Sequence, residues 1–177
     1  MKYTFSIAGD GKIVLESRAS ESDRHITLKI LAYLLFKDET GGPPLRIEQG
    51  VGQRHKPDLV ATDEETGRVL LWIDCGQIEG KRLGRIVEKN PGARIVVVKA
   101  TGGEATLYAR GVARFLPERS AASVSFLGFD DGFLPEFLSR LRGRNDIALS
   151  RNGDDLEVLL NGERLVTRLH RLSSEAL

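Results

Sequence analysis

Apolar positions in this chain fall into short runs whose spacing switches repeatedly between strand and helix. Residues 3–7 and 12–16 are β-forming runs on either side of Gly9-Asp10-Gly11, which predicts a hairpin. In SESDRHITLKILAYLLF, Ser20 offers its hydroxyl as an N-cap with Asp23 three positions on. Ile26, Ile30, Tyr33 and Leu34 then lie along one stripe, predicting a helix over 20–37 that the breaker GGPP at 41–44 terminates. Runs at 57–62 and 68–74, joined by TDEETGR, read as a second hairpin. In IEGKRLGRIVEKN, Ile78, Leu83, Ile86 and Val87 recur near helical spacing with basic residues between them. A helix over 79–89 follows, stopped by Asn90-Pro91-Gly92. RIVVVK at 94–99 is a continuous apolar run of the length expected for a strand buried on both faces.

The remainder predicts a helix at 104–113, a strand at 123–128, a helix at 133–142 and a closing meander. The meander reads IALSR, DLEVLL and ERLV, and each of its Asn-Gly pairs, 152–153 and 161–162, is a signal for a two-residue turn with positive φ. The order is that of an α/β protein, a mixed central sheet flanked by helices. At 177 residues with 41% hydrophobic content, the chain fits one compact domain over 1–177.

Charge and cysteine content narrow the choices. With 26 basic against 25 acidic residues the net charge is +1, so any binding of nucleic acid must come from local clustering. Cys75 is the only cysteine, which excludes a disulfide framework or a paired-thiol metal site and is compatible with a reducing cytoplasm. The apolar runs are far below the roughly 20 residues that span a bilayer, so the expectation is a cytoplasmic protein with no membrane contact.

Asp74 ends the apolar run VLLWI, and an acid there is costly to bury unless it reaches solvent, pairs with a base or binds metal. Asp58 after Pro57 suits a strand entry when taken alone. Glu21 near a helix start is ordinarily a dipole-favoured surface residue. Cys75 reads as a small buried hydrophobe and Trp72 as core or site wall. His25 and His55 lack ligand spacing, and His170 lies in a tail-like stretch. Arg140, Arg142, Arg144 and Arg151 read as a solvated helix end, with phosphate clamping as the other use of such a run.

The order helix, strand, strand, helix, strand, with Pro-Asp at 57–58 and an acid near the end of the next strand, resembles the PD-(D/E)XK nuclease superfamily. More narrowly, SESDRHITLKILAYLLF, PDLVATD, LLWIDCGQIEGKRL and LSRNGDDLEVLL resemble the YaeQ family of bacterial proteins. The resemblance covers most of the chain. It implies a restriction-endonuclease-like αββαβ core over about 20–100, with the N-terminal hairpin and the C-terminal meander added. It also implies a Mg²⁺- or Mn²⁺-dependent phosphodiesterase acting on DNA or RNA, in which Asp58 and Asp74 hold the metal and Glu21 supplies a further acid. The superfamily's lysine would stand at Gly76, where there is no side chain. Lys81 in the first turn of the following helix is the preferred replacement; Gln77 fills a supporting polar role, and Arg82 and Lys56 are the other basic candidates. The alternative is a descendant that has lost catalysis and keeps the fold to bind nucleic acid or a protein partner.

Overall fold

The computed structural model describes residues 1–16, 21–117 and 123–174. Along the chain run β1 (Lys2–Ile7), β2 (Gly11–Glu16), α1 (Asp23–Phe36), β3 (Arg46–Ile47), β4 (Leu59–Thr62), β5 (Val69–Cys75), α2 (Gly80–Lys89), β6 (Arg94–Thr101) and α3 (Gly102–Val112). They are followed by β7 (Ser123–Phe129), α4 (Phe133–Arg140), β8 (Arg144–Asn152), β9 (Asp155–Leu160), β10 (Glu163–Arg168) and β11 (His170–Ser173).

The α/β class is as the patterning predicts, but the strands divide between two mixed sheets. One has the order β10-β9-β8-β1-β2 and the other β11-β7-β6-β5-β4-β3. The N-terminal hairpin and the C-terminal meander are joined by the parallel pairing of β1 with β8. Periodicity shows which face of a strand is apolar but not which distant strand it pairs with, so this junction is invisible in the sequence. In the six-stranded sheet β5, β6 and β7 run parallel, while β4 pairs antiparallel with β5 and β11 with β7.

Helix α1 packs on strands of both sheets. That position explains why ITLKILAYLLF is buried nearly all round rather than along the expected stripe: Leu28, Leu31 and Leu35 are as enclosed as Ile26 and Ile30, while Tyr33 is only half-buried. The helix is capped by Ser22, whose hydroxyl accepts from the His25 amide at 3.3 Å. Ser20, the expected cap, lies outside the described residues. On the far face of the six-stranded sheet, Leu83, Ile86 and Val87 of α2 and Ala105, Ala109 and Val112 of α3 form a second core with Trp72, Ile95 and Val97.

Three expectations need correction. At Asn161-Gly162 both residues take positive φ, as a two-residue turn requires, but Asn152 stays in its strand and only Gly153 is left-handed, so that turn sits one residue later. Helix α4 stops at Arg140, and Arg144 already belongs to β8, so the arginines do not share one helix end. His170 opens an edge strand, not a tail, and its Nε2 lies 2.7 Å from Asp130 Oδ1.

Gly128 fixes the junction of β6 and α3. A Cβ there would overlap the carbonyl group of Thr101 and the amide of Gly102. Gly128→Ala is therefore expected to cost about 1–3 kcal/mol in urea denaturation, through displacement of backbone rather than of a movable side chain.

Candidate functional site

Strands β5 and β6 are parallel, so their C-terminal ends open together. Ligands of open α/β sheets commonly bind outside this carboxyl edge. A cleft of about 1150 Å³ lies there. The start of α1 contributes Glu21, Arg24, His25 and Lys29, and the segments before β4 contribute Glu48, Lys56 and Asp58. Gly76, Gln77 and Arg82 come from the connection after β5, and Lys99 and Tyr108 from β6 and α3.

Asp58 precedes β4 by one residue, and each of its carboxylate oxygens has a partner. Oδ1 lies 3.0 Å from His25 Nε2, Oδ2 accepts from the Cys75 amide at 2.7 Å, and Lys29 Nζ is 3.7 Å away. Burial pushes its pKa up, but His25, the Cys75 amide and Lys29 outweigh this and hold it below the usual carboxylate value.

Lys29 is a residue the sequence reading missed. Its side chain is 3% exposed, and its ammonium lies 2.5 Å from both Glu21 and Glu48. Burial works against its charge, yet the two carboxylate hydrogen bonds raise its pKa overall. Glu21 thus meets Lys29 and, at 3.4 Å, His25. The available signal was a lysine inside the apolar run ITLKILAYLLF, which must find a counter-charge if the helix is buried all round.

Asp74 stands on the same strand parity as Trp72, and the indole N–H donates to Oδ2 at 2.8 Å. Its nearest cation is Arg82, at 3.8 Å from Oδ1. Burial raises the pKa to about 6 despite the Trp72 hydrogen bond, and the neighbouring charge of Asp58 adds to the rise. The two aspartates share an electrostatic neighbourhood but have different partners, Asp58 being tied to His25 and the Cys75 amide and Asp74 to Trp72 and Arg82, and Asp58 lines the cleft whereas the buried Asp74 does not. Two polar atoms beside Asp74, Tyr108 Oη and Arg82 Nε, are buried without a hydrogen-bond partner. Among the described residues no three His, Cys, Asp or Glu side chains are grouped to hold a metal ion by themselves.

Gly76 is not a strand position stripped of its side chain. Strand β5 ends at Cys75, and Gly76 has a φ of 75°, in the left-handed region that glycine enters without strain. A Cβ there would come within 3.3 Å of His25 Nδ1. The cation that reaches this point is Lys99, from the neighbouring strand, whose ammonium donates to the Gly76 carbonyl and stands 3.7 Å from the Tyr108 ring centroid. Burial lowers its pKa to about 8 against the pull of Glu104 and Asp74. Lys81 is exposed and does not line the cleft, whereas Arg82, Lys56 and Gln77 do. Cys75 is enclosed, and burial raises its thiol pKa well above the ordinary value. Arg140 pairs with Glu136 and Glu163, and Arg151 with Glu39, so neither contributes to the cleft.

The model of the YaeQ protein family matches residues 7–168, nearly the whole chain. The chain belongs to the YaeQ family. Among solved structures it is similar to the YaeQ protein of Xanthomonas axonopodis pv. citri, with 19% identity, a TM-score of 0.66 and coverage of 96% of this chain and 95% of that one. It is also similar to the YaeQ protein of Pseudomonas syringae, with 16% identity, a TM-score of 0.70 and coverage of 97% and 93%. At these identities the likeness establishes a shared YaeQ fold, not shared chemistry. No curated protein matches the chain. Among the described residues, no helix is long and apolar enough to cross a membrane.

Proposed function

We propose that the cleft binds and hydrolyses a phosphodiester of DNA or RNA with the help of a divalent cation, as in the PD-(D/E)XK nucleases that the αββαβ order resembles. The observation that carries this reading is Asp74, a buried carboxylate short of positive charge at the end of parallel strands, set behind Arg82 in the wall of a cleft that Lys29, Lys56 and Lys99 also line. A hydrated Mg²⁺ or Mn²⁺ suits the carboxylate, and the lysines and arginine suit the phosphate that the ion would accompany. Magnesium is usually held by one or two carboxylates with waters and substrate phosphate rather than by an all-protein cage. The unpartnered Tyr108 hydroxyl and Arg82 Nε are groups that such waters or phosphate oxygens would satisfy.

Asp74 and Asp58 would hold the ion, with Glu21 as an outer acid kept in place by Lys29. When bound, the cation supplies charge stabilisation at the phosphate and a more acidic water. Lys99 supplies the positive charge that the superfamily draws from a lysine at the position of Gly76, delivered across the Gly76 carbonyl from the adjacent strand. Gln77 lies at the cleft wall as a polar group for the attacking water. Lys81, on the outer side of α2, serves the approach of substrate rather than the reacting phosphate.

The test is cleavage of single-stranded, duplex and structured DNA and RNA with Mg²⁺ or Mn²⁺. Activity is expected to vanish in Asp74→Asn. In Lys99→Ala it should fall by about 100-fold in turnover with little change in KM, because charge developing in the transition state is what calls on the ammonium. With a pKa of about 8, Lys99 loses its proton as pH rises through that value, so the alkaline limb of the rate profile should disappear in Lys99→Arg.

One observation favours a second reading. Glu21, Glu48 and Asp58 already meet Lys29, and Asp58 also meets His25, so these acids need no metal for neutrality. A cleft neutralised in this way can bind phosphate groups without hydrolysis. Absence of cleavage across the whole panel, with retained binding of the same oligonucleotides, would replace the enzymatic reading with that one.

A further inference from the structure

A basic rail runs beside the cleft. Segment 51–57 and helix α2 together carry Arg54, Lys56, Lys81, Arg82, Arg85 and Lys89 against a single acid, Glu88, with Glu79 at the helix cap, in a chain whose net charge is only +1. The segment is fastened along the helix at both ends. Arg82 donates to the Lys56 carbonyl at 3.3 Å, and the side-chain amides of Gln53 and Asn90 hydrogen-bond each other at 2.7 and 3.3 Å.

The helix buries Leu83, Ile86 and Val87, which leaves Arg85 and Lys89 facing solvent and Arg82 half-buried at the cleft wall. Arg54 and Lys56 are also exposed. Of the six cations only Arg82 has a carboxylate within ion-pairing distance among the described residues. His55 lies in their midst, and burial together with Arg82, Arg54, Arg85 and Lys89 lowers its pKa. Such a concentration of like charge opposes folding unless something else selects for it.

We propose that this rail is the track for the backbone of a nucleic-acid strand, with Arg54, Arg85 and Lys89 neutralising phosphates outside the cleft and Lys56 and Arg82 handing the strand into it. The inference rests on the phosphodiester reading of the cleft and adds the surface along which the strand reaches it. From Arg82 to Lys89 the helix rises about 10 Å, the length of about three nucleotide steps at 3.4 Å each. Continuity with the cleft through Lys56 and Arg82 distinguishes this patch from an isolated surface cluster. No exposed large apolar side chain lies on it: Met1, Val14, Leu107, Leu159 and Val166 are all elsewhere, so it lacks the apolar wedge of a membrane-surface helix.

The experiment measures binding without cleavage. Full-length Asp74→Asn protein is titrated in EDTA with fluorescent single-stranded and duplex DNA and RNA oligonucleotides over a range of KCl. It is compared with the same protein carrying Arg54→Gln, Arg85→Gln and Lys89→Gln. The triple change should weaken binding at low salt by at least about 10-fold and reduce the slope of log K against log[KCl] by about 2, since each neutralised phosphate contributes ~0.7–0.9 to that slope. Unchanged affinity and slope overturn the rail. So does binding of anionic vesicles or an acidic peptide in place of every oligonucleotide, or binding of none of these probes. Hydrolysis of bis(p-nitrophenyl) phosphate by protein with Asp74 intact reports on the cleft separately. The triple variant should leave it unchanged, and a loss there would mean that the three residues act in the cleft and not as a track. Absence of that hydrolysis with salt-dependent oligonucleotide binding intact would sink the catalytic reading and leave the rail standing.

Discussion

Lys29→Ala is expected to destabilise the protein by about 3–5 kcal/mol, the usual cost of leaving buried charges without their partner. The side chain is 3% exposed, and its ammonium sits 2.5 Å from Glu21 and Glu48 and 3.7 Å from Asp58. Removing it leaves three carboxylates gathered at the end of α1 with His25 as the remaining group between Glu21 and Asp58. For a chain of this size the loss corresponds to a fall in Tm of about 6–20 °C at pH 7. Lys29→Met separates charge from packing, since it keeps most of the stem. A Lys29→Met protein within about 1 kcal/mol of wild type in urea denaturation at pH 7 would show that the acids discharge to solvent and that the cluster is not a structural unit.

The same cluster marks the limit of what the sequence discloses. Helix α1, the β4–β5 hairpin, α2 and β6 follow from local periodicity and from breakers such as Asn90-Pro91-Gly92, and the structure finds them within two or three residues of the predicted spans. Asp74 stood out because an acid closing an apolar run has few physical options. Lys29 obeys the same logic from the other sign of charge, but its partners lie 8, 19 and 29 residues away and meet only when α1 is laid between the sheets. Lys99 was hidden differently. At the end of RIVVVK it reads as the polar boundary of a strand, yet β6 continues to Thr101, and the lysine becomes an interior residue whose ammonium must turn to the Gly76 carbonyl. Gly76, two residues after Asp74, would share its face only if the strand continued, but β5 ends at Cys75 and Gly76 takes a left-handed φ.

Asp74 supplies the second large effect, of opposite sign. Its carboxyl has a folded-state pKa of about 6 against an ordinary 3.8, because burial disfavours the anion. Between those two values the native protein binds more protons than the unfolded chain, so this group makes stability fall as pH rises from about 4 to about 6, and the deficit then persists at higher pH. A shift of about two units corresponds to roughly 3 kcal/mol. Asp74→Asn keeps an oxygen for the Trp72 indole and discards the charge. It should therefore be more stable than wild type by about 1–3 kcal/mol at pH 8 and no more stable at pH 4, as read from urea denaturation at the two values. Millimolar Mg²⁺ or Mn²⁺ should raise the Tm of the wild type at pH 8 by supplying the missing positive charge, and should leave Asp74→Asn unmoved, since only binding to the native state shifts the equilibrium. An Asn variant destabilised at pH 8 would instead mean that the anion is already matched by Arg82 across 3.8 Å. The buried acid would then be a structural half of an ion pair, and the cleft would have no unmet charge to offer a cation.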